Sequence, residues 1–309
     1  MTERRTSTFL EIVLPFIVFT IIWGSTWIVI RDQLGVVPPQ WSVSYRFLIA
    51  AVAMAIMAKV KGRSLLLDRQ GMQAALFIGF IQFCVNYNSV YLAERHITSG
   101  IVATISALLL IPNSLLGWAM LGQRPGRQFA IGSTIAVGGI AFLCVNEFRA
   151  SAVPSWEVLT GIGFTLLGLI AASVTNVYQA REHLRRHHLS SLLAWSMAVG
   201  AIIDIVFAWA LTGPPVFPTR PGYWAGVLYL GIFASALTFS LYYPVVRKIG
   251  PGKAAYSSVI VPVIAMAFST ALEDYRWTAI AITGAVLTLA GMLIALSRGR
   301  LVVQSPDAA

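Results

Sequence analysis

Charge is what this sequence has least of. Of its 309 residues only 11% are Asp, Glu, Lys or Arg, while 57% are hydrophobic; soluble domains run at about 25% charged and about 45 to 50% apolar. That proportion excludes a water-soluble globule and leaves almost no chain for a soluble domain. Acidic residues are scarcer still, 12 against 22 basic ones, giving a net charge of +10. In a soluble chain this excess would point to nucleic acid. Here the basic residues sit in short segments between apolar runs, where membrane topology puts them, so no nucleic-acid partner is expected. The two cysteines, Cys84 and Cys144, lie inside apolar runs, which excludes a disulfide-stapled ectodomain and a Cys-rich metal motif. Walker A, H-E-x-x-H and nucleophile-elbow motifs are missing too. No cofactor and no enzymatic activity are expected, and any transport draws on a gradient rather than on ATP.

What is present is a series of apolar runs, at residues 10–30, 41–58, 71–92, 98–121, 129–146, 157–178, 191–211, 222–246, 253–272 and 277–296. Each is about the 20 residues that a bilayer crossing needs. Backbone in lipid must satisfy its own hydrogen bonds, so the runs are helices unless they close a barrel, and barrel strands alternate polar with apolar residues. They do not alternate. The first run follows a basic flank, Met1 to Arg5, but is too long for a signal-peptide core and has no small-residue cleavage site; it is expected to be an uncleaved membrane helix.

Loop charges orient the helices. With the N-terminus in the cytoplasm, the inside segments hold sixteen Lys and Arg: Arg4, Arg5, Lys59, Lys61, Arg63, Arg69, Arg124, Arg127, Arg181, Arg185, Arg186, Arg247, Lys248, Lys253, Arg298 and Arg300. The outside loops hold one each, Arg31, Arg95, Arg149, Arg220 and Arg276. Both termini are therefore expected in the cytoplasm, and the protein in the cell inner membrane.

Sliding the sequence along itself by 152 residues aligns Gly79 with Gly231, Tyr91 with Tyr243, Arg95 with Arg247, Gly100 with Gly252, Ser106 with Ser258, Gly132 with Gly284 and Gly139 with Gly291. An odd number of helices per copy makes the second copy enter the membrane from the opposite side. The expected architecture is all-α: ten transmembrane helices as two inverted five-helix repeats, residues 1–150 and 151–309. Such repeats give two packings of similar energy, the physical basis of alternating access.

The first run carries Trp23-Gly24-Ser25-Thr26, followed by Pro38-Pro39, Arg46-Phe47, Ser99-Gly100-Ile101-Val102-Ala103, Leu121-Gly122 and Pro262-Val263. In order and spacing these residues resemble the EamA-type family of the drug/metabolite transporter superfamily, over essentially the whole chain. The resemblance implies a ten-helix antiparallel repeat with a central cavity and, in many bacterial members, export of amino acids or related metabolites. The chain departs from the family in Gln123, where Leu-Gly-Glu is frequent; Leu272-Glu273-Asp274 offers acids in a shifted register. That acid is then dispensable for transport or structural.

Polar groups inside a membrane need partners or a wet cavity, since a mid-helix charge costs about 2.5 to 3.5 kcal/mol to insert. Arg46 and Asp204 sit at similar depths near the outer ends of the second and seventh runs. They are candidates for gating or ion coupling; a structural pair, or an Arg snorkelling to headgroups, is the plain alternative. Thr20, Trp23 and Trp27 share a helix face, as do Gln82, Asn86 and Ser89, and Ser235, Thr238 and Tyr242. With Asn113 beside Pro112, and Ser257 and Ser258 before Pro262, they are candidates to line a substrate cavity. Interhelical hydrogen bonding is the competing role for each. Gly132, Gly138, Gly139, Gly284 and Gly291 are expected at close helix crossings, and Trp156, Trp224 and Trp277 at the interfaces.

His183, His187 and His188 form H-x-x-x-H-H, similar to one box of membrane di-iron enzymes. The chain has four histidines in all, and Arg181, Arg185 and Arg186 surround the box, so no metal is expected; a basic loop facing anionic lipid accounts for it. The sequence favours a secondary transporter, an exporter of a small amino-acid-like solute, with that solute and the lipid bilayer as partners and no oligomeric state implied. A membrane-embedded lipid-modifying enzyme, a lipid flippase and a channel are the other classes considered.

Overall fold

The computed structural model describes residues 9–122, 125–150, 154–249, 257–273 and 275–296. The termini, Gln123, Arg124, Gly252, Lys253 and Asp274 lie outside the described residues, as do the side chains of Ser258, Arg185 and Arg247. Among the described residues eight helices are long and apolar enough to cross a membrane: α1 (Leu10–Gln33), α2 (Pro39–Val60), α3 (Arg69–Ala93), α4 (Ser99–Met120), α5 (Arg127–Ala150), α6 (Ser155–Gln179), α7 (Leu189–Thr212) and α8 (Pro221–Val246). Two shorter apolar helices follow, α9 (Ser257–Leu272) and α10 (Ala279–Leu296). Each of the ten apolar runs has thus become a helix.

Local chemistry sets where they start and stop. Pro39 and Pro221 open α2 and α8, where the missing N–H costs nothing. Asp68 caps α3 by accepting a hydrogen bond from the Gly71 N–H at 2.7 Å. At the end of α4, Gly122 takes φ of +71°, the left-handed residue that stops a helix; this is the Gly of the Leu-Gly motif.

The main helix pairs are α1 with α8 and α9, α2 with α7 and α8, α3 with α6 and α7, α4 with α6 and α9, and α5 with α10. Every one joins a helix from the first five to one from the last five. The two halves are therefore not separately packed bodies; their interface is the core. Exchanging each helix for the one five places along leaves this set of pairs unchanged.

Glycines make the closest crossings. A Cβ at Gly132 would lie 2.2 Å from the Ala295 nitrogen and 2.4 Å from the Gly291 oxygen, and one at Gly139 would lie 2.6 Å from the Gly284 oxygen. Gly291 and Gly284 meet α5 backbone in return, so α5 and α10 run antiparallel with main chain against main chain. Gly138 departs from expectation: it faces open space, because one residue on turns it about 100° from Gly139. Gly79 and Gly231, paired in the 152-residue register, also lie at crossings, Gly79 against the Ser196 carbonyl of α7 and Gly231 against the Arg46 carbonyl of α2. Both sit in π-helical segments, Gly79–Asn86 in α3 and Tyr229–Leu237 in α8.

The perimeter is apolar. Val52 and Ile56 on α2, Ile202 and Val206 on α7, and Ile282 and Val286 on α10 are half exposed or more. Stripes at i and i+4 of this kind suit lipid and not water. Trp156 and Trp277 are exposed at helix ends, and Trp224 donates to the Pro218 carbonyl at 2.9 Å.

Candidate functional site

A cavity of about 180 Å³ lies where the halves meet. Trp23, Thr26, Trp27 and Ile30 of α1, Arg46 of α2, Gln82, Asn86, Tyr87 and Val90 of α3, and Ala103, Ser106, Ala107 and Leu109 of α4 form one side. Leu169, Ala172 and Asn176 of α6, Phe239 and Tyr242 of α8, and Ser257, Val261 and Pro262 of α9 form the other.

Its aromatic wall is continuous. The Trp23 ring contacts Tyr242 at 5.0 Å and Phe239 at 5.6 Å, Phe239 meets Phe83 at 5.6 Å, and Phe47 bridges Phe83 to Tyr87 at 4.9 and 4.6 Å. Trp23 donates its indole N–H to the Ala234 carbonyl at 3.2 Å, within the π segment of α8, which fixes the ring. Arg46 enters from the α2 side, 1% exposed. Its Nε donates to Ser235 Oγ at 3.0 Å and its guanidinium carbon stands 4.5 Å over the Tyr87 ring. Gln82 turns its carbonyl away from the cavity to accept a hydrogen bond from the Thr175 hydroxyl.

Of the residues singled out from sequence, Trp23, Trp27, Gln82, Asn86, Tyr242, Ser257 and Arg46 come together on this wall. Others do not. Ser235 stands behind Arg46 and holds it. Thr238 is fully buried and donates to the Ala234 carbonyl at 2.6 Å. Asn113 is half-buried further along α4, and neither it nor Ser89 or Thr20 faces the cavity.

Asp204 and Arg46 do not pair. Asp204 is fully buried and accepts from Asn88 Nδ2 at 2.7 Å, beside Cys84. Cys84 and Asn88 lie on the α7 side of α3, whereas Gln82 and Asn86 lie on the cavity side. Equal depth did not bring the two charges together, because Arg46 turns to Ser235 of α8 and the Tyr87 ring while Asp204 turns to Asn88.

Sequence reasoning missed a knot at the end of the molecule that carries the C-termini of α1, α3 and α9. Glu273, after α9, takes Arg31 Nε at 3.4 Å, the Ser99 hydroxyl at 2.5 Å and the Ser99 N–H at 3.5 Å. Arg31 also donates to the Glu94 carbonyl oxygen. Glu94 itself is fully buried, and neither carboxyl oxygen has a hydrogen-bond partner. Burial first, and the neighbouring Glu273 second, push the Glu94 carboxyl well above the usual range, against the pull of Arg31 and Arg46. Asp32 and Arg220 add a surface pair at 2.7 Å. The available signal was positional: three helix-end charges from both halves at one face.

The opposite end is looser. Lys248 pairs with Glu11 at 2.5 Å and Arg186 with Asp68 at 3.0 Å, all about half exposed. His187 is 3.6 Å from Asp68, and His183 packs on the Tyr178 ring. Among the described residues no three His, Cys, Asp or Glu groups converge as metal ligands.

A bundle of apolar helices, half of it drawn from each end of the chain and holding an aromatic cavity at the join, defines a membrane transporter. Residues 11–145 and 159–297 match the EamA-like transporter family, and the chain belongs to it. It is 24% identical over 283 residues to a probable amino-acid metabolite efflux pump of Escherichia coli K12, covering 89% of this chain and 91% of that one. It is 27% identical over 285 residues to the uncharacterized inner membrane transporter YedA of the same organism, covering 90% and 88%. Protein PagO of Salmonella typhimurium is 22% identical over 284 residues, covering 91% and 90%. A solved crystal structure shares the fold with a TM-score of 0.69 at 16% identity, over 91% of this chain and 95% of that one.

Proposed function

We propose that this protein is a secondary transporter that exports a small amino-acid-like metabolite across the inner membrane by alternating access. The observation that carries the reading is the cavity itself: it lies between the halves and takes wall from both, and Glu273 joins the halves at the Arg31 end. The helix pairing that survives exchange of the halves supports residues 1–150 and 151–309 as inverted repeats, which would supply the second packing. The relative named as an amino-acid metabolite efflux pump supports the solute class and direction. Both termini are placed in the cytoplasm on the loop charges.

In this cycle Trp23, Trp27, Gln82, Asn86 and Tyr242 contact solute, while Asn113, Ser235 and Thr238 support the wall; Ser258, whose side chain lies outside the described residues, is kept as a solute contact on the sequence alone. Arg46 and Asp204 serve gating at two different seams, α2/α8 and α3/α7. The test is counterflow into proteoliposomes across a panel of amino acids and related metabolites. Saturable exchange of a small set of solutes is expected. A folded, reconstituted protein that exchanges none would end the transporter reading.

A further inference from the structure

The donors and acceptors around the cavity do not balance, and the imbalance has one sign. Trp27 Nε1 and Arg46 Nη1 are buried polar atoms with no hydrogen-bond partner. Gln82 spends its carbonyl on Thr175, which leaves its amide N–H groups as the free end. All three are donors. Among the described residues that line the cavity, Arg46 is also the only one with a formal charge.

Its charge is not met elsewhere. Asp204 is committed to Asn88 behind α3, and no ion pair of Arg46 occurs among the described residues. Glu94, one turn beyond Val90 on α3, is the acid that feels Arg46, but burial and Glu273 hold its carboxyl toward the neutral form. The aromatic rings under the Arg46 guanidinium, Phe47 and Tyr87, carry no formal charge to answer it. A buried guanidinium without a counter-charge is costly unless an anion completes it. Ser235 and the Tyr87 ring already fix its orientation, so the group is preorganised to donate.

We infer that the transported solute is a monocarboxylate with an aromatic or branched apolar body, that its carboxylate is taken by Arg46 and Trp27, and that an amino group on it is dispensable. The aromatic wall receives the apolar body. An ammonium would find only neutral amide and hydroxyl oxygens there, and no carboxylate. The inference rests on the transporter reading and narrows its solute: organic acids, and not amino acids alone, become substrates.

The experiment is counterflow with matched sets that share one body, phenylacetate, phenylacetamide and phenethylamine, beside phenylalanine and phenylalaninamide, and the corresponding leucine-derived set. Acids are expected to exchange at least about tenfold faster than their amides and amines, as befits loss of a charge-assisted bond. Phenylacetate is expected to match or exceed phenylalanine. Arg46→Gln should abolish the preference for acids, Arg46→Lys should keep part of it, and Trp27→Phe should raise the half-saturating concentration several-fold with the ring retained. If Arg46→Gln does not fold, as judged by gel filtration, Trp27→Phe and the acid–amide comparison on the unaltered protein decide.

Exchange of amides or amines at the rate of the acids overturns the inference and leaves the transporter reading intact. Exchange of other solutes with no carboxylate among them does the same. Exchange of nothing at all removes the transporter reading, and the inference with it.

Discussion

The two ends of this molecule are held by different chemistry. At one, Arg31, Glu273, Ser99 and Glu94 form a mostly buried knot that ties α1, α3 and α4 to the segment after α9; Glu273 is 8% exposed and Glu94 fully buried. At the other, Asp68, Arg186, Glu11 and Lys248 meet in solvent. Both sets cross between the halves, so the proposed alternating access would have to break both. Their response to acid is opposite. The Glu94 carboxyl is raised, so the stability tied to its neutral form is present in acid and is lost as pH rises through that raised value. Asp68 is lowered, chiefly by the Gly71 N–H it accepts and then by Arg186 and His187, so its contribution is present at neutral pH and is lost as pH falls through that lowered value. Acid therefore tightens one end and loosens the other.

The comparison can be broken most severely at Glu273. Glu273→Ala takes the acceptor from Ser99 and the counter-charge from Arg31, which keeps only the Glu94 carbonyl, a loss of about 1.5 to 3 kcal/mol for hydrogen bonds to a charged group. Labelling of a cysteine placed at Ser106, by a thiol reagent added from the Arg31 end, should rise several-fold. An unchanged labelling rate would mean that the knot does not close the cavity. Next comes Glu94→Gln, which keeps shape and removes titration. Labelling of the same site in the unaltered protein should increase as pH rises, and in the variant that slope should vanish.

Asp68→Asn should have a smaller effect, confined to the opposite end. It weakens the cap of α3 and the contact with Arg186, and the melting temperature should lose its fall at acid pH attributable to this residue, with Arg31-end labelling unaltered. Lys248→Ala should be the mildest, within about 0.5 kcal/mol, since exposed ion pairs contribute little. If Lys248→Ala matched Glu273→Ala in a labelling assay at either end, the contrast between a buried knot and solvated pairs would be lost.

Much of the fold was legible because lipid imposes one rule on every segment: apolar and about 20 residues long. The cavity wall was half legible. Trp23 and Trp27 obey ordinary helical spacing and line it, and Gln82 and Asn86 line it as well, from within the π-helical segment Gly79–Asn86. Ser235 was expected beside Tyr242, but it lies in the π-helical segment Tyr229–Leu237, whose wider turn carries it toward Arg46; Thr238, in the regular helix beyond, is buried with its hydroxyl on the Ala234 carbonyl. Depth along a helix was readable for Arg46 and Asp204, yet azimuth was not, and azimuth is what separates them. The Arg31–Glu273–Glu94 knot was hidden because charges at helix ends read as solvated loops until their distant partners are seen.

The main-chain crossing of α5 and α10 has a consequence for how such a chain can change. Gly132 meets Gly291 and Gly139 meets Gly284, so a methyl group gained on either helix lands on the other's backbone. Two helices that cross main chain on main chain in this way lose the liberty to change at these four positions. Loops, wall residues and charges elsewhere can drift into separate roles; the seam cannot.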